Sequence, residues 1–414
     1  MSFDQMLYRS SDAQLMEAIN SNNLESVRTL VSRGADINYR GQHGETPLIK
    51  SMMCEDTRIC SFLLESGANP NLVTVNGYSP LVFACLQNNF EFARMLLGHN
   101  ADINQRTHEG WTPLIIAATN SSVIFDHLDQ PFFKNLMEIV SRYGHYRPEN
   151  DPTILVNLLL QSGANPNDAN IFGTTPLMAA SSMANQKIIR SLIESKASID
   201  LRDTEGKTAL VYAVISTIEE VIDSLIHMRL VSHSINLADF MTLPMVAQLR
   251  PQFDPDKEYC INYLINNGAD IRTKDKKGIS VLTHAARTGN LRVVQNLVGY
   301  GANIHAKSQR GITPLYAAAI NGHNDIVLFL LSQGVDIDEK LNDGETPLMA
   351  AVWNGQVETV ALLIHKGADV NVKKLTRYKP SGETSLIRAP YINKTEKNEN
   401  YDKIFKILAQ AGAV

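Results

Sequence analysis

Residues 313–344 read TPLYAAAINGHNDIVLFLLSQGVDIDEKLNDG, and this stretch decides the fold. Thr313 is placed to cap a helix, and Pro314 needs no amide partner in the first helical turn. The run from Pro314 to Asn321 is short and alanine-rich, so neighbouring helices can approach it closely. A turn, Asn321-Gly322-His323-Asn324, leads into a more apolar helix over 325–332. Gly334 supplies the left-handed residue that ends it. The chain is then extended through Asp338 and turns back as a hairpin at Gly344.

The same pattern recurs along the chain. Thr-Pro-Leu-like triplets start at Thr46, Ser79, Thr112, Thr175, Thr208, Ser280, Thr313, Thr346 and Thr384. Gly-Ala-Asp/Asn-like stops fall at Gly34, Gly67, Gly163, Gly268, Gly301, Gly334, Gly367 and Gly412, with Asn100 and Lys196 in the same place in two further units. Most consecutive markers are 33 residues apart. A fixed period of this length means stacked supersecondary units, none of which buries its apolar face alone.

In register and spacing the chain resembles the ankyrin repeat family over nearly its whole length. That resemblance implies an all-α repeat solenoid: about ten helix-turn-helix units with short β-hairpin fingers, one array over residues 1–414. It departs from the family at one position. Where histidine usually follows Thr-Pro-Leu, this chain has Ile49, Val82, Ile115, Met178, Val211, Thr283, Tyr316, Met349 and Ile387. Apolar packing is expected to replace the histidine's hydrogen bonds. The first unit (Ser11 to Asn38) and the last (383–414) have polar helices suited to capping the ends.

Two long interruptions, at 119–152 and 216–256, fall between the two helices of their units. Both are expected to be helical insertions, each followed by an Asp-Pro that opens the second helix (Asp151-Pro152, Asp254-Pro255). They can brace the stack or form a binding platform. They also carry scattered polar groups, His127, Asp129, Glu138, His145, Glu149, His227, His233 and Asp239, the only material for an alternative reading as an enzyme. No H-E-x-x-H spacing or nucleophile turn supports that alternative. The expectation is therefore a non-enzymatic binding protein with no cofactor, metal or catalytic residue.

Composition narrows the partner. The net charge of -5 gives no global basic field for nucleic acid or membrane. No secretory leader or 18-residue apolar span is read from the sequence. Cys54, Cys60, Cys85 and Cys260 form no C-x-x-C pair and lie in apolar helical patterns, as buried reduced residues of a cytosolic protein do. The family resemblance implies that a protein partner meets the fingers and the open face of the first helices. On that face the sequence places Met53, Phe83, Leu86, Ile116, Tyr212 and Trp353, with Tyr78 and Trp111 at finger bases. Early fingertips are mixed or apolar (Leu72, Val73, Val75, Ile171, Phe172). Later ones are basic: Arg272, Lys274, Lys276, Lys277, Lys307, Arg310, Lys340, Lys373, Lys374, Arg377 and Lys379. A positive edge of this kind suits an acidic protein segment better than nucleic acid, since no aromatics interleave for base stacking. The chain is expected to be monomeric. Asn38, Asn104 and Asn371 are similar to asparagines that are hydroxylated in ankyrin repeats. The asparagine-rich composition and long insertions look like ankyrin effectors that intracellular bacteria deliver to act on host proteins in the host cytoplasm.

Overall fold

The structure, a computed structural model, describes residues 11–53, 57–119, 151–216, 256–376, 379–383 and 399–413. Most of both expected insertions (119–152 and 216–256), including all eight of their polar groups, lies outside these residues, as do Cys54, Asp254, Pro255, Arg377 and Ile387. The described residues form two compact units. The first runs from Ser11 to Asp203 and takes up residues 256–260; the second comprises 204–216 and everything described from Ile261 onward.

Each repeat is built as its sequence dictates. The Ser79, Thr112, Thr175, Ser280, Thr313 and Thr346 side chains each accept from the backbone N–H three residues on, opening short inner helices such as Pro80–Leu86 and Pro314–Ile320. Thr208 is the exception: its hydroxyl makes no cap, and its Oγ1 is buried without a partner. Asparagines cap the outer helices Leu24–Ser32, Phe90–Gly98, Gln186–Glu194 and Leu291–Gly299 in the same way. Asp151 caps Pro152–Gln161 by accepting from Thr153 N–H. The helices end where the sequence places left-handed residues. Gly34, Gly334 and their equivalents have positive φ, and so do Asn100 (62°) and Lys196 (66°). Only that position explains a lysine with such a backbone.

Within each unit, inner helices stack on inner helices and outer on outer. In the first unit Leu48, Leu81, Leu114, Leu155 and Leu177 are all at most 1 % exposed. Ile49, Val82, Ile115 and Met178 fill the usual histidine position and are equally buried, so apolar packing takes over there. In the second unit Leu210, Leu282, Leu315 and Leu348 continue the same core pattern. The final helix, Glu399–Gln410, buries Tyr401, Ile404 and Leu408 and exposes Asp402, Lys403, Lys406 and Gln410.

The fingers are turns more than strands. In the finger after Gly301, for example, Ser308 N–H donates to Ile312 O (3.0 Å) and Gly311 N–H to Ser308 O (3.0 Å). Too little chain flanks these turns for a longer hydrogen-bonded pairing. Among the described residues, strands form only at Lys374–Thr376 and Lys379–Glu383, with one isolated bridge between Lys274 and Ser280. Fingers are joined instead to one another. In the first unit Val75 N–H donates to His43 O (3.0 Å) and Ile171 N–H to Glu109 O (3.1 Å). In the second, Lys276, Gln309 and Asn342 N–H groups donate to Glu205, Lys277 and Arg310 carbonyls (2.8–3.1 Å). A second set of bonds runs through the finger bases, where Asn38, Asn71, Asn104 and Asn167 Oδ1 atoms accept from the next repeat's Asn69, Asp102, Asn165 and Ser198 N–H groups.

These links leave no space at the finger glycines. A Cβ on Gly311 (φ +86°) falls 2.9 Å from Asn342 N, whereas one on Gly334 (φ +82°) meets nothing within 4 Å. Gly334→Ala is expected to cost only the left-handed backbone penalty, about 1–2 kcal/mol. Gly311→Ala adds overpacking and is expected to cost at least ~1 kcal/mol more. Urea midpoints of the two variants test the difference; equal losses would refute the close-approach argument.

Candidate functional site

The inner-helix face is more closed than expected. Phe83 is 2 % and Ile116 is 6 % exposed, so neither is the surface residue that the sequence reading made it. The reason is that inner helices are flanked by others on both sides and backed by outer helices. Every residue from Pro80 to Cys85 and from Pro113 to Ala118 is therefore buried. Leu86, the last residue of the first of these helices, and Met53, just past the helix Pro47–Ser51, are half-buried. Trp111 is half-buried as well, its Nε1–H donating to Glu109 Oε2 (3.3 Å). Tyr78 covers Phe83 edge-on, with ring centroids 5.9 Å apart. Three of the first unit's exposed apolar groups sit instead on its fingertips, Val75 (56 %), Ile171 (60 %) and Phe172 (47 %), and another, Ile154 (52 %), lies on the outer helix Pro152–Gln161.

In the second unit the fingers carry the cations into solvent. Arg272, Lys274, Lys276, Lys277, Lys307, Arg310, Lys340 and Lys373 are all exposed. Two are tied within the edge. Lys274 Nζ donates to Lys307 O (3.0 Å), and Lys307 pairs with Glu339 (3.0 Å). The rest extend beyond the turns whose backbone groups are already engaged.

Lys374, expected among these cations, is not a surface residue. It is 8 % exposed, and its Nζ lies over the Trp353 ring (4.9 Å to the centroid), 2.9 Å from Asp343 Oδ2 and against Glu345 Oε2. Glu345 also accepts from the Tyr316 hydroxyl (3.0 Å). Burial, and then the nearby Glu345 charge, push the Tyr316 pKa up, so the phenol stays a donor. The strand beginning at Lys374 turns this side chain inward while leaving Lys373 outside. Trp353 is thereby half-buried, committed on one face to the cation. Tyr212 is likewise half-buried, with Lys207 Nζ 5.8 Å from its ring.

A second buried pair had no forecast. His284 is 3 % exposed, and its Nε2 lies 3.1 Å from Asp275 Oδ2. Asp275 Oδ1 accepts from the Lys277 and Ile279 N–H groups (both 2.9 Å), so the pair shapes the basic fingertip from within. Burial first, then the Arg287 and Lys207 charges, lower the His284 pKa from 6.5 to about 4, against the opposing pull of Asp275. His284 sits fourth after its cap residue Ser280, as Phe83 does after Ser79, and neighbouring helices cover it in the same way.

Cys60, Cys85 and Cys260 are buried free thiols, and desolvation raises all three pKa values, that of Cys60 to about 12. They are poor nucleophiles. Among the described residues no group of three or more His, Cys, Asp or Glu is placed to hold a metal ion, and no helix is long and apolar enough to cross a membrane. The Oδ1 atoms of Asn38 and Asn104 are occupied as acceptors, and Asn371 Nδ2 donates to Gly412 O (3.3 Å).

Engaged turn backbones, exposed tip side chains and stacked helix pairs define a class of protein, the helical repeat scaffold with projecting fingers. A family model described as "Ankyrin repeats (3 copies)" matches residues 15–107, 73–129, 146–239, 255–340 and 283–374, well over half of the chain. The chain belongs to the ankyrin repeat family. Ankyrin repeats are generally protein–protein interaction modules and typically non-enzymatic, so they imply a protein partner.

The buried histidine gives the fold a pH signature. A neutral His284 contributes stability that is complete above pH 6.5, the unfolded value, and is lost as pH falls from 6.5 towards about 4. Between pH 7 and pH 5 the loss is about 2 kcal/mol. His284→Asn, which keeps a donor for Asp275, is expected to flatten this part of the stability profile in urea titrations. An unchanged slope would show that His284 is not its source.

Proposed function

We propose that this chain is a non-enzymatic binding protein that takes an acidic segment of a partner protein along the finger edge of its second unit. The observation that carries this reading is the row of exposed cations there: Arg272, Lys274, Lys276, Lys277, Lys307, Arg310 and Lys373. Complementary charge of this kind steers association and selects partners more than it adds raw affinity. Within the same unit, half-buried Tyr212 and Trp353 are suited to apolar contacts beside such a charged site; Met53, Leu86 and Trp111 of the first unit are half-buried side chains suited to apolar contacts of their own. Phe83, Ile116 and Lys374 have no part in it. The buried reduced cysteines favour a cytosolic setting. The resemblance to delivered ankyrin effectors supports a host-cell protein as the target.

Affinity capture compares the intact chain with the triple variant Lys276→Glu, Lys277→Glu, Arg310→Glu. Bound proteins are expected to elute by about 0.5 M salt, where charges a few ångströms apart are screened. They are expected to be absent from the triple variant. Recovery of the same proteins by both chains would move the binding site off this edge, and deleting residues 120–150 or 217–255 would then show whether the insertions hold it.

A further inference from the structure

Four lysines of the second unit share one register. Lys274, Lys307, Lys340 and Lys373 are successive at 33-residue intervals, so each occupies the same place in its repeat, and all four are exposed. Successive fingers are held in step by Gln309 N–H to Lys277 O (2.9 Å) and Asn342 N–H to Arg310 O (3.1 Å). The helices they grow from stack side by side. Packed helices lie about 8–10 Å apart, so the lysines form a row of about that pitch.

Few peptide conformations match this pitch. Neighbours on one face of a helix, three or four residues apart, are only about 5–6 Å from one another. Same-face neighbours on a strand, two residues apart, are separated by about 6.6–6.8 Å. A polyproline II segment has three residues per turn and rises about 3.1 Å per residue, so every third side chain returns to one face after about 9 Å. Building on the acidic-segment reading above, we infer that the Lys274–Lys307–Lys340–Lys373 row reads an extended, polyproline II-like peptide with a carboxylate at every third position.

The molecule already places one carboxylate on this row. Glu339 Oε1 lies 3.0 Å from Lys307 Nζ, and the glutamate side chain is only 15 % exposed. Lys274 is held at the neighbouring position by the Lys307 carbonyl (3.0 Å). Glu339 therefore competes with an incoming carboxylate for Lys307, and a partner gains that position only by displacing it.

The test is fluorescence anisotropy with the full chain at about 50 mM salt, where screening is weak. One probe is a labelled (Glu-Pro-Pro)4 peptide; the second has the same composition with its glutamates contiguous; the third is single-stranded oligothymidine of equal length. The spaced peptide is expected to bind about tenfold more tightly than the contiguous one, the sum of a few exposed ion pairs. Lys340→Glu with Lys373→Glu is expected to weaken it about tenfold or more, and Glu339→Gln to tighten it several-fold by freeing Lys307. Thermal melts confirm that the variants fold. Equal binding of the two peptides sinks the spacing inference and leaves the acidic-segment reading standing. Binding of neither peptide removes both. Tighter binding of the oligothymidine overturns the peptide assignment in favour of nucleic acid. An affinity unchanged or lowered by Glu339→Gln overturns the competition at Lys307.

Discussion

The close approach of one finger turn to the next governs the rest of this molecule. At six turn glycines (Gly44, Gly77, Gly110, Gly206, Gly278 and Gly311) the would-be Cβ position is filled by the following repeat's backbone, for example Val75 N at 2.9 Å for Gly44, Asn170 Cα at 3.1 Å for Gly110 and Lys276 N at 2.9 Å for Gly206. At these six glycines the turns come this close by donating and accepting through backbone groups, one bond at each. It follows that fingertip main chain is spent on stacking and is unavailable to a partner. What a finger can offer is side chains. The same constraint that welds the repeats together thus makes a row of side chains at a fixed pitch, whose chemistry can vary without disturbing the frame.

The interior shows what that frame does to polar groups. Lys374 gives up most of its hydration and gains two carboxylates and an aromatic face in return. Removing one partner of such a cluster would leave a buried charge uncompensated, which is why buried ion pairs fix geometry better than they add stability. Here the geometry fixed is that of the inner helix Pro347–Trp353 against the strand that begins at Lys374. His284 and Asp275 do the same two fingers before that of Asp343 and Glu345. A neutral imidazole holds the carboxylate that holds the Lys277 and Ile279 amides.

Much of this was legible in the residues themselves. Capping threonines, helix-ending glycines and even the substitutes Asn100 and Lys196 are local signals, because each depends on hydrogen bonds and dihedrals within a few residues. Asp151-Pro152 was readable for the same reason. Phe83, Ile116 and His284 were not, because helical periodicity reports which face a residue occupies but not how many neighbours cover that face. Lys374 differs from Lys373 by one position, and the pairing of Lys374 with Glu383 that turns it inward is a tertiary fact. Tip residues were placed correctly where the turn itself dictates exposure, as at Val75, Ile171, Lys276 and Arg310.

Not every finger cation is free to act on a partner, and the structure separates two kinds. Arg40 donates to the Val73 carbonyl of the next repeat, and Arg106 donates to Ala169 O (2.6 Å) while pairing with Asp168 (3.0 Å). These arginines occupy the register of Lys274, which bridges to Lys307 O in the same manner. A cation at this position therefore has a stacking role wherever its reach and the next carbonyl coincide. In the first unit that role alternates with Val73 and Ala169, which carry no charge, so no continuous row arises. Four consecutive lysines in the second unit exceed what stacking asks for, since an uncharged residue serves the frame equally well at alternate repeats. The excess charge, exposed at Lys340 and Lys373, is what sets this edge apart from a structural one.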